Sequence, residues 1–313
     1  YQANMLFLSI VCMGLAGALF QKRLWLASRI LDTKSPGEVF SRYYDSPSIR
    51  IYMLGVAFLF AVPLASYFLS EAAGLLASSS SGAISRLSAV FYIGFFTFIF
   101  SALGGWRAVV YVTAALSVLM GLLVIFLGGL VTTALGDVSL FHDGMKVAQG
   151  VLVDAIPGVI QFTGGLGRTP AEGGVWTALA ILSFAISAVG IAISPNFSFL
   201  ALTIKPGRSF AFSQVWVVAG IGAGLLIGLS PFIAAELEGA KPDAFQTLFT
   251  KLVDLDGMAG VALVLMLLSG LLLGFAYFAI SGSNIFAMEV VNRYLLPNLS
   301  SSGQRLSSRI VLA

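Results

Sequence analysis

Gly104-Gly105-Trp106-Arg107-Ala108-Val109-Val110-Tyr111 sets one arginine between two long apolar runs. Twenty uncharged residues precede Arg107 (87–106) and twenty-nine follow it (108–136). A helix crosses a bilayer in about 20 apolar residues, so each run suffices for one crossing. The paired glycines allow a sharp turn and let helix ends approach closely. The stretch predicts a tight turn between two membrane-spanning helices, and the other spans are counted from it.

Composition agrees. Of 313 residues, 58% are hydrophobic and 10% charged, with a mean hydropathy of +0.97. A soluble domain carries about 25% charged residues, so an ordinary water-soluble protein is excluded. The chain begins Tyr1-Gln2 and runs straight into apolar sequence. It has no basic start, short core and small-residue cleavage site, so a fragment or a processed chain is expected, not a signal peptide.

Charge-free runs lie at 1–21, 51–70, 87–106, 108–136, 173–204, 209–235 and 257–288. They predict an all-α, polytopic transmembrane bundle of about seven spans in a single domain, with an eighth helix starting near Arg309. Backbone groups in lipid must pair internally, which excludes loose coil. Long runs of Leu, Ala, Gly and Phe do not show the alternation of a barrel.

Loop charge orients the bundle. Loop 22–50 carries Lys22, Arg23, Arg29, Lys34, Arg42 and Arg50. Strict alternation puts Arg107, Lys205, Arg208, Arg293, Arg305 and Arg309 on the same side, twelve of the seventeen basic residues. That side is expected to be cytoplasmic, in a bacterial inner (plasma) membrane. The external loops are then 137–172, with a surface helix over Met145–Ile156, and the acidic 236–256. Positive charge of this origin implies no nucleic-acid partner; the bilayer is the partner.

Candidate chemistry is sparse. Cys12 and His142 are each single, so no zinc or haem ligand set exists. The acidic loop 236–256 lacks the spaced oxygens and central glycine of a calcium loop. Gly164-Gly165-Leu166-Gly167-Arg168 follows no strand and is not read as a phosphate loop. No nucleophile has a base spaced to activate it, so an enzyme is not expected. The aromatics from Phe91 to Phe100 read as lipid-facing or packing groups. Trp25, Trp106 and Trp176 fall where interfacial anchors belong. Glu289, the one acid inside a helical segment, is expected to pair with Arg293 one turn away.

Two helices carry breaks. Ser194-Pro195-Asn196 removes a backbone donor. Ser281-Gly282-Ser283-Asn284 sets small and polar residues at depth. Broken helices expose backbone groups to substrate or ion in many transporters; packing kinks with locally bonded polar groups are the other reading. Ser194, Asn196, Ser281, Ser283 and Asn284 are the candidate substrate-binding residues.

Three stretches resemble the sodium/solute symporter family. Ser35-Pro36-Gly37-Glu38-Val39-Phe40-Ser41-Arg42-Tyr43 is similar to its "TxxEFxxxRY" segment. Gly104 to Tyr111 is similar to "GGLxAVVWTDxxQ", and Ser281 to Tyr294 to its small-polar run and "MDIYxxY" ending. The resemblance implies ten core helices in two inverted five-helix repeats, of which this chain would hold the second to the eighth. It implies secondary transport of a small solute, with sodium as the coupling ion and no other cofactor or metal. The chain departs from the family at Thr113 and Leu116, where an aspartate and a glutamine are usual. At the family's paired sodium-binding hydroxyls stand Leu273 and Gly274, or Ala276 and Tyr277, depending on register. Those departures motivate a second expectation: a transport-inactive module serving as a sensor input domain or as an accessory subunit of a larger membrane complex.

Overall fold

The computed structural model describes residues 2–80, 82–134, 178–204, 209–225, 249–250, 252–254, 256–297 and 301–312. The expected surface helix at 145–156, the rest of loop 137–172, Trp176 and most of loop 236–256 lie outside them. Among the described residues every regular element is helical. In order they are α1 (Gln2–Leu31), α2 (Pro36–Tyr43), α3 (Ser48–Ser79), α4 (Arg86–Ala134), α5 (Ala178–Ile193), α6 (Pro195–Thr203), α7 (Ala211–Gly222), α8 (Gly257–Phe286), α9 (Ala287–Leu295) and α10 (Ser301–Leu312). Helices α7 and α9 are π-helical.

Among the described residues, four helices are long and apolar enough to cross a membrane: Phe7–Leu31, Ser48–Ser79, Arg86–Leu130 and Gly257–Leu295. The bent pair Leu182–Ile193 and Pro195–Thr203 makes a fifth if it is one span. These are consistent with an integral membrane protein.

Charge-free runs misplace several helix ends. Helix α1 continues past Lys22 and Arg23 to Leu31, because a basic residue ends an apolar run without ending a helix; both side chains are exposed. What stops α1 is Asp32 in the left-handed region (φ 48°), with the Thr33 amide bonded back to Ser28 O at 3.0 Å. The remainder of "loop" 22–50 holds α2, started by Ser35 and Pro36. Ser35 Oγ accepts from the Glu38 amide at 3.1 Å, and proline stands at the first turn.

The sequence predicts a turn at Gly104-Gly105, and the helix breaks its regular geometry there. Helical geometry is interrupted at Gly105 (φ 60°, ψ −159°), a conformation reserved for glycine. The two arms of α4 lie along the same stretch of α8. Ala89 and Ile93 pack with Leu271 and Phe275, and Trp106 with Ile285 and Met288. Val109 then packs with Ala276 and Ile280, and Met120 lies against Gly270. The chain advances along α8, turns at Gly105 and retraces its path.

By packing density the chain divides into two units: 1–19, 123–192 and 208–263, and 20–122, 193–207 and 264–313. In the first, Gly14 and Gly17 of α1 admit Gln214 of α7; a Cβ on Gly14 would stand 2.6 Å from Gln214 O. In the second, α3 runs antiparallel to α8. Ala57 meets Ile285, Ala61 sits against Gly282, Phe68 stacks on Phe278, and Ala72 packs with Leu268 and Leu271. Pro63 lies inside α3 without ending it.

One end of the second unit gathers segments that charge alternation assigns to a single side. Trp25 Nε1 donates to Ile204 O at 2.7 Å, and Arg29 Nη2 to the same oxygen at 3.2 Å. Glu289 meets Ser35 and Arg50, and Arg309 Nη2 donates to Leu103 O at 3.4 Å beside the Gly105 turn.

Candidate functional site

The site is built where α6 crosses α8, inside the second unit. Helix α5 stops at Ile193 because Pro195 has no amide proton and biases Ser194 to extended geometry (φ −59°, ψ 155°). The chain bends by 46° and restarts as α6 with Pro195 in its first turn. Ser198 repairs part of the break. Its amide donates to Ser194 O at 2.9 Å and its hydroxyl to Ile193 O at 3.2 Å.

Asn196 is the hub, with 0% of its surface exposed. Its Nδ2 donates to Ser281 Oγ at 3.1 Å, and its main-chain oxygen accepts from Tyr277 OH at 2.9 Å. Ser281 is equally buried, and its hydroxyl donates a hydrogen bond to Phe278 O at 3.3 Å. Phe197 packs on Tyr277 with ring centroids 4.8 Å apart, and Phe199 on Trp106 at 5.4 Å. Apolar rings thus border the polar hub.

Two oxygens here have no hydrogen-bond partner although both are buried: Asn196 Oδ1 and Ser194 Oγ. An unsatisfied buried polar atom costs about 1–3 kcal/mol. Both flank the N-terminus of α6, whose first amides carry partial positive charge. The site is neutral, rich in acceptor oxygen and bordered by rings. It can receive hydrogen bonds or coordinate a hard monovalent cation, and it offers no nucleophile with an activating base. No group of His, Cys, Asp and Glu side chains among the described residues could hold a metal ion.

The five sequence candidates divide. Ser194, Asn196 and Ser281 belong to the hub. Ser283 Oγ and Asn284 Nδ2 both donate to Ile280 O, at 3.0 and 2.9 Å, and so bond to their own helix. The expected break at Ser281–Asn284 is absent, since α8 runs unbroken to Phe286. Tyr277 is a site residue that the sequence reading did not select. Its position one turn before Ser281, on the same helical face, was the available signal.

One further expectation needs correction. Glu289 does not pair with Arg293. It lies in π-helical α9 and is buried against the start of α2 and of α3, while Arg293 is exposed. Its partners are Ser35 Oγ, which donates to Oε1, and Arg50, whose Nε lies 3.5 Å from Oε2. The Arg293 guanidinium instead rests over the Tyr294 ring, 5.8 Å from its centroid. Trp106, expected as an interfacial anchor, is half-buried beside the Gly105 turn and packs with Ala57, Phe199, Val109 and Ile285. Phe91, Tyr92, Phe95 and Phe96 are exposed along the first arm of α4, in keeping with a lipid-facing surface.

These features define an all-helical protein with membrane-length apolar helices and a neutral polar hub at a helix break. No protein-family model, curated protein or solved structure matches the chain.

Proposed function

We propose that the chain is the membrane core of a secondary transporter for a small solute, part of a five-plus-five inverted repeat, and coupled to sodium if to any ion. One observation carries the reading: beside the broken helix at Ser194-Pro195, Asn196 Oδ1 and Ser194 Oγ are buried without partners. A fold that leaves acceptors unsatisfied at a helix break has a use for them, and a solute hydroxyl, amine or amide, or a desolvated cation, satisfies them. Uptake by the full-length protein in proteoliposomes tests this, with labelled amino acids, sugars and small carboxylates, with and without an inward sodium gradient. Accumulation of one class, lost in Asn196→Ala, is expected. No uptake of any class counts against it.

A second reading has its own observation. Thr113 stands at the family's aspartate position, and its hydroxyl donates to Val109 O and Val110 O of its own helix, at 2.8 and 3.1 Å. Ala276 and Tyr277 supply no hydroxyl pair, and Tyr277 is engaged with Asn196. This suits a transport-inactive module, a sensor input or accessory subunit, whose partners are a fused signalling domain or other membrane subunits. Stable co-purification with a membrane complex, together with absent uptake, favours it.

A further inference from the structure

Arg50 and Glu289 are the only buried charged residues among the described residues, 9% and 4% exposed. They come from elements far apart in sequence, and neither takes part in the hub. Arg50 opens α3 and Glu289 lies on α9. Between them stands the start of α2: Ser35 Oγ donates to Glu289, and Gly37 lies so close that a Cβ there would be 2.8 Å from Glu289 Oε1. Arg50 Nη2 also reaches Glu38 Oε1 at 3.3 Å, and Arg42 Nη2 reaches the same oxygen at 3.1 Å. The Arg50 Nε–Glu289 contact is an ion pair without an aligned hydrogen bond, so this nitrogen is incompletely satisfied.

Such a pair is a poor stabiliser. Well-packed apolar residues of the same volume would hold the corner at least as firmly, because burying both charges carries a large desolvation penalty. A buried charge in a membrane protein is more readily explained by work than by stability. Its position suggests which work. Farther along the same two helical paths, past Arg50 on α3 and on α8 before Glu289, Ala57 and Ile285 pack with Phe199, which belongs to the helix that carries Asn196. The pair therefore fastens the charged end over the layer that borders the hub.

We propose that Glu289, Arg50 and Ser35 form a latch that holds this end of the second unit closed and is released when α9 parts from the α2–α3 corner. The inference rests on the transport reading, since a closure that opens has a purpose only if something passes. The closing experiment reads the latch without reading transport. In full-length protein with Cys12→Ala, a reporter Ala57→Cys sits about two turns along α3 from Arg50, packed with Phe199 and Ile285, and Ala72→Cys sits at the buried α3–α8 contact farther along. Each is challenged with a membrane-impermeant maleimide in membrane vesicles of both orientations.

Glu289→Gln, and separately Gly37→Ala, which displaces the carboxylate without removing charge, should raise labelling at residue 57. The expected rise is at least about tenfold, the direction in which a buried pair deprived of one partner shifts the population. Labelling at residue 72 should not change. Arg50→Gln with Glu289→Gln should label no faster than the single variants. Equal rises at both reporters would show a loosened fold, and no rise at either would show a pair that gates nothing; both overturn the proposal. If reporter 57 responds while no solute is taken up, the transport reading fails and the latch stands.

Discussion

Asn196 and Ser281 are joined side chain to side chain, Nδ2 to Oγ at 3.1 Å, with both residues fully withdrawn from the surface. The bond ties the restart of a broken helix to the last third of a continuous one. Ser281→Ala leaves the Asn196 amide without that acceptor in a site closed to water. A loss of about 1–3 kcal/mol in stability is expected, read as a lower unfolding midpoint in detergent. Asn284→Ala, which removes only a bond to its own helix, should cost less than Ser281→Ala.

Tyr277→Phe separates packing from hydrogen bonding. The ring contact with Phe197 remains, while the bond to Asn196 O is lost. A cost of about 1–2 kcal/mol is expected. If the hub binds solute, affinity should weaken along with stability, checked by comparing uptake at several solute concentrations. Unchanged stability would mean that the carbonyl finds another donor.

Gly105→Ala tests the turn. A side chain at φ 60°, ψ −159° is strained by about 1–3 kcal/mol. It would also approach the Arg309 guanidinium, whose Nη2 lies 3.6 Å from a Cβ built there. Gly55→Ala, at a helical glycine with open space around it, should be neutral or slightly stabilising. Equal effects of the two substitutions would remove the turn from the argument.

Arg50→Ala should cost about 3–5 kcal/mol, because it strands a buried carboxylate. Arg293→Ala should stay within about 0.5 kcal/mol, as expected of an exposed residue. The comparison asks directly which arginine Glu289 depends on. A larger loss at Arg293 would restore the pairing that sequence spacing suggests.

Cysteines placed at Lys22, Arg107 and Arg293 should react with an impermeant reagent from one side of the membrane only. Reaction of any one of them from the other side would break the alternation on which the span count depends.

Much of this was readable from residue order, for identifiable reasons. Gly105 could be found because an arginine between apolar runs and a doublet of glycines mark the same place. The break at Ser194 could be found because proline removes an amide proton wherever it stands. Helix ends could not be found from charge, since Lys22 and Arg23 sit on an exposed helical surface. The partner of Glu289 was hidden because Ser35 and Arg50 reach it only through the tertiary fold. The division of Ser281 from Ser283 and Asn284 follows from rotation. Of these three, only Ser281 bonds to α6; Ser283 and Asn284, two and three places on, bond back to Ile280.

The π-helical start of α9 has a consequence for inheritance. Its wide turn sets the azimuth of Glu289 relative to α8. Deleting one codon between Phe286 and Glu289 would swing the carboxylate by roughly 80–100°, away from Ser35 and Arg50, with every ionisable residue retained. Spacing between residues, as well as their identity, is what selection must preserve at this corner.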